Sequence, residues 1–105
     1  MSYPRAFRDD LISILEKYQP SLTVYYNSYG DMLCFYGTFI IKENVIYIKQ
    51  TSDPEASEKP LNVISFLELL NSATEENLEV STYHESYRGG NTFDCNMILD
   101  NIYFR

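Results

Sequence analysis

A chain of 105 residues, 45% hydrophobic and 15% aromatic, has the length of one domain and enough apolar material for a core, which excludes a disordered or fibrous protein. The net charge of −7 is uneven: residues 1–50 carry five acids and five bases, whereas 51–100 carry ten acids against Lys59 and Arg88 alone. Such a half repels phosphate, which argues against direct binding to nucleic acid or anionic membrane and suits a partner with a basic surface.

The elements are predicted in chain order. Phe7, Leu11, Ile14, Leu15 and Tyr18 recur at helical spacing, and Pro4 and Pro20 bracket a helix over about residues 4–18. Residues 22–50 read as three strands. Tyr29 and Gly30 form the first tight turn, and Glu43 and Asn44 form the second. A polar loop, 51–59, precedes a second helix over 62–70, with Asn62 as its N-cap and Val63, Ile64, Phe66, Leu67 and Leu70 on a broad apolar stripe. Residues 78–87 and 92–104 then read as a hairpin about Gly89 and Gly90. The expected fold is α+β: a mainly antiparallel five-stranded sheet with two helices on one face, in the order α-β-β-β-α-β-β.

Two-residue turns fix the register of the first three strands. They set Val24 against Phe35, Tyr26 against Leu33, Phe39 against Ile48 and Ile41 against Ile46, which gathers these residues on one apolar face. The other face carries Tyr25, Tyr36 and Tyr47 among polar neighbours. It is expected either to be an outer face whose tyrosines cover their neighbours or to be a binding platform. Similar arithmetic for the C-terminal hairpin sets Glu79 against Asp100, Glu85 against Asp94 and His84 against Cys95. Like charges directly opposed destabilise a sheet. Either the register differs, or Glu79, Glu85, Asp94 and Asp100, with Glu75 and Glu76 nearby, form an acidic stripe kept for a partner.

Signs of catalysis are sparse. A Cys95–His84 pair would need an orienting group, an oxyanion site and a pocket. Zinc could draw on Cys34, Cys95 and His84, yet no local ligand spacing supports it. The Gly89–Gly90 pair has no following helix or lysine, so it is a turn and not a phosphate loop. The helix-strand order is similar to that of double-stranded RNA-binding domains. Lys59 is the sole base at the second helix start, so the phosphate grip of that family is missing.

No apolar run approaches a membrane span, and the first residues lack a signal peptide's apolar stretch. The expectation is a cytoplasmic protein, in its own cell or a host's, with Cys34 and Cys95 as free thiols and no cofactor. The expected function is a non-enzymatic protein-binding module: a small acidic inhibitor or adaptor acting on a basic, nucleic-acid-handling protein. Nuclease-immunity and phage anti-defence proteins are of this general type. The alternatives are a self-associating accessory domain, using the tyrosine face or an edge strand within 92–104 to form a homodimer, and a small enzyme using His84 and Cys95.

Overall fold

A computed structural model describes residues 5–28, 30–51, 56–85, 91–94 and 98–105. The elements are α1 (Arg8–Leu15), β1 (Val24–Ser28), β2 (Asp31–Lys42), β3 (Val45–Thr51), α2 (Val63–Ala73), β4 (Glu79–Glu85), β5 (Asn91–Asp94), α3 (Ile98–Asn101) and β6 (Ile102–Phe104). The chain is thus α+β. The strands form one mixed sheet in the order β5-β4-β3-β2-β1-β6.

The β1–β2–β3 meander forms as expected. Tyr26 pairs with Leu33, Phe39 with Ile48 and Ile41 with Ile46. The second turn is of the hairpin kind that needs two left-handed residues: Glu43 has φ 53° and Asn44 φ 64°. At the first, Gly30 has φ +91° and its amide donates to Asn27 Oδ1 at 3.0 Å. A bulge at 36–38 shifts the register between Phe35 and Phe39, so that Phe35 meets Gln50. There β1 and β2 part, and Leu61 bridges them: its N–H donates to Phe35 O (2.8 Å) and its C=O accepts from Val24 N (3.1 Å).

Two expectations are corrected. The sheet is mixed, because β3 and β4 are parallel, with Val45 beside Glu79 and Gln50 beside His84. The cause is α2, whose apolar stripe buries Val63, Phe66, Leu69 and Leu70, so the chain crosses the sheet before starting β4. The expected strand 92–104 is three pieces. β5 stops at Asp94, α3 buries Ile98 against the core, and β6 pairs with β1 at the opposite edge. Ile98, Ile102 and Phe104 are satisfied by that core and not by strand alternation.

Helix α1 is shorter than the predicted 4–18, because Ala6 and Phe7 are extended and bound to β4. Val80 N donates to Ala6 O at 2.7 Å, and Arg8 N donates to Leu78 O at 2.8 Å. Helix α2 has a full capping box between Asn62 and Ser65. The three helices share one core with Val24, Tyr26, Phe35, Ile46, Ile48 and Val80. The opposite face is also covered in its middle: Tyr36, Tyr47, Lys49, Thr51, Ser81 and Tyr83 are all buried.

Candidate functional site

The start of β4 lies between two segments. Val45 of β3 pairs with Glu79 on one side, and Phe7 bridges to Glu79 on the other. The parallel register brings the β2–β3 turn beside the connection that enters β4. The result is an open groove of about 460 Å³. Half-buried Phe7, Val45, Leu78 and Glu79 line it together with exposed Arg5, Glu43 and Glu76. Three carboxylates against one guanidinium leave a net charge of −2 there, in an open cleft with an apolar side.

The groove walls are held by hydrogen bonds that do not involve the carboxylates. Asn77 Oδ1 accepts from Asp9 N at 2.9 Å, which joins the connection to the first turn of α1. Leu78 N donates to Glu76 O, and Glu76 N donates to Thr74 Oγ1. Arg8 ties α1 to the end of α2 through Leu70 O (3.1 Å) and Asn71 Oδ1 (3.0 Å). The acids are therefore displayed on a framework that does not depend on their charge.

Of the acids singled out from sequence, Glu76 and Glu79 meet in this groove, and Glu75 is exposed beside it. The cross-strand pairs on which the expected stripe was built are not the ones formed. Asp94 lies opposite Thr82 and not Glu85, Glu85 lies opposite Asn91, and Asp100 belongs to α3. The side chains of Glu85, Asp94 and Asp100 lie outside the described residues. The register shift removes both like-charge pairs, which is the physical reason the sheet does not adopt the expected pairing. Glu43, Arg5 and Phe7 were missed, since the sequence gives Glu43 only as a turn and the first residues only as a helix.

Of the tyrosines, Tyr36 and Tyr47 are 4% and 8% exposed and offer a partner almost no area. Tyr25 is half-buried and stacks on Tyr103, ring centroids 5.7 Å apart. Among the described residues, Tyr25 and Tyr103 give that side accessible aromatic surface, beside exposed Met32.

His84 faces Thr92 on β5, which overturns the expected His84–Cys95 pairing; Cys95 lies outside the described residues. Cys34 pairs with Thr51, whereas His84 sits beside Gln50, so sheet alternation places Cys34 and His84 on opposite faces. Burial pushes the Cys34 thiol above its ordinary pKa, away from the thiolate. Among the described residues, no group of three or more His, Cys, Asp or Glu is placed to hold a metal ion. The leading amides of α2 are already used: Val63 N reaches Leu22 O, Ile64 N reaches Pro20 O and Ser65 N reaches Asn62 Oδ1. This helix end has no free donors for an anion. No helix among the described residues is long and apolar enough to cross a membrane. Compared with known proteins, the chain matches no family model, no curated protein and no solved structure.

Proposed function

We propose that this chain is a non-enzymatic protein-binding module, a small acidic inhibitor or adaptor whose partner presents a basic surface. A nucleic-acid-handling protein is the partner class, as for nuclease-immunity and phage anti-defence proteins. The observation that carries the reading is the groove in which Glu43, from the β2–β3 turn, meets Glu76 and Glu79, from the entry into β4, around a half-buried apolar side. Carboxylates spread over such a groove match several Lys or Arg heads, and the apolar side takes their methylene stems. Glu43 adds support. It occupies a left-handed backbone position, where Asn or Gly is preferred, so its charge is carried at a cost in stability.

An arginine-rich peptide titrated into isotope-labelled protein is expected to shift amide resonances at residues 43–45 and 76–79. The triple variant Glu43→Lys, Glu76→Lys, Glu79→Lys should bind about tenfold or more weakly, and the affinity of the parent should fall with salt. Equal affinity and equal salt dependence in the triple variant would sink the proposal.

A further inference from the structure

We propose that the outer edge of β6 pairs with β6 of a second copy of this chain, joining two sheets across a two-fold axis at Tyr103. The argument starts from the backbone. Thr23 and Arg105 exchange both of their hydrogen bonds, Thr23 N to Arg105 O at 2.9 Å and Arg105 N to Thr23 O at 3.0 Å. In an antiparallel pair such exchange alternates, so the next residue, Phe104, turns its N–H and C=O away from β1. Val24, the partner of Phe104, agrees: its N–H points to Leu61 on the other side. By the same alternation Ile102 also points outward. β6 is the last strand of the sheet, and no described strand lies beyond it.

The side chains of this edge are self-complementary. Ile102 and Phe104 face the helix side, where they line a groove of about 90 Å³ with Leu11, Ile14, Leu15 and Tyr18. The Tyr18 ring stacks on Phe104 with centroids 3.8 Å apart, yet Tyr18 remains 43% exposed. Tyr103 faces the other side, 42% exposed and stacked on Tyr25. Antiparallel pairing centred on Tyr103 sets Ile102 of one copy opposite Phe104 of the other, so the outward backbone groups meet and both apolar side chains stay on the helix side. Tyr103 then meets Tyr103, which extends the Tyr25–Tyr103 stack into a row of four rings. The strand carries no charge, unlike natural edges that repel pairing with lysines or glutamates. Arg105 follows β6 and would lie past the end of the partner's strand, away from its own copy, so the pairing does not bring the two Arg105 charges together. A foreign strand would need the same alternation, and β6 already has it.

Sedimentation equilibrium across the micromolar range is expected to give twice the mass of the chain at the upper end. Tyr103→Lys places like charges face to face at the axis and should raise the dimer dissociation constant at least tenfold with unchanged circular dichroism. In a Cys34→Ser, Cys95→Ser background, Tyr103→Cys should cross-link to a dimer with oxidised glutathione, because the two Cα atoms would stand within disulfide range. Arg105→Cys in that background should not, since its two copies lie far from the axis on opposite sides. A monomer mass throughout, equal dimerisation of Tyr103→Lys, or equal cross-linking at positions 103 and 105 would overturn the proposal.

Discussion

Lys49 Nζ lies 2.6 Å from Glu58 Oε1, and the side chains are only 8% and 17% exposed. This ion pair draws the segment after β3 back over the face opposite the helices, next to buried Tyr36. Two ions removed from water gain stability only while paired. Replacing Glu58 by Ala removes the carboxylate from this pair and is expected to cost up to about 3 kcal/mol, the low end for a buried pair, because Glu58 retains some solvent contact. Replacing both, as Lys49→Met with Glu58→Leu, should recover most of that loss. Urea denaturation of the parent, both single variants and the double variant gives the coupling energy; additive losses would show that the two residues do not act as a pair.

The turn at Glu43 predicts opposite effects on stability and on binding. With φ 53°, Glu43 sits where a side chain is unfavourable and glycine is not. Glu43→Gly should gain about 0.5–1 kcal/mol, as relief of the left-handed strain outweighs the extra freedom of the unfolded chain. Glu43→Ala keeps the strain and should gain little. Both remove a groove carboxylate, so both should weaken capture of a basic peptide. A Gly variant that is less stable than the parent would show that the Glu43 side chain holds the turn by contacts of its own.

How much of this was legible in the sequence follows from the range of the interactions. The meander was readable because Gly30 and Asn44 mark two-residue turns, and such turns leave one register that keeps Val24, Phe35, Ile46 and Ile48 together. The placement of β4 was not, because parallel pairing depends on where α2 sets the chain down, 28 residues after Thr51. The segment around Ile98 misled for a related reason. A short apolar run with β-formers looks alike as one long strand or as strand, short helix and strand, and only the core that takes up Ile98 separates them. For the site, Glu76 and Glu79 stood out as local charge. Glu43 and Arg5 join them only through the Val45–Glu79 and Phe7–Glu79 contacts, which no local pattern encodes.

Tyr36 gives the protein an alkaline limit. Burial is the main cause raising its pKa; the neighbouring Cys34 and Glu58 charges raise it further, against a lowering by Lys49. A phenol whose folded pKa lies above its unfolded value keeps more protons in the folded state, so stability is full below about pH 10, the unfolded value, and falls as pH rises through the folded value. Cys34, also raised by burial, adds the same sign from about pH 8.5 upward. Melting temperatures between neutral pH and pH 11 should therefore decline above about pH 8.5. Tyr36→Phe should flatten the upper part of that decline and Cys34→Ser the lower part. Identical curves for all three proteins would remove these two groups as its cause.

Gln50 Nε2 is the one described buried side-chain polar atom without a hydrogen-bond partner, in a residue 3% exposed between Phe35 and His84. An amide donor kept from water without an acceptor costs about 1–3 kcal/mol, whereas an apolar chain of similar shape pays no such penalty. Gln50→Met keeps the length and flexibility of the side chain and fills the same space. It is expected to stabilise the fold by about 1 kcal/mol, a rise of several degrees in melting temperature for a domain of this size. Gln50→Glu tests the sign from the other direction: a carboxylate in that position has no donor to meet and should destabilise the fold, least at acid pH, where it is protonated. If Gln50→Met instead lowers the melting temperature, the carboxamide is bonded in the folded protein, and that partner, not packing, is what fixes the β3–β4 pair at this end.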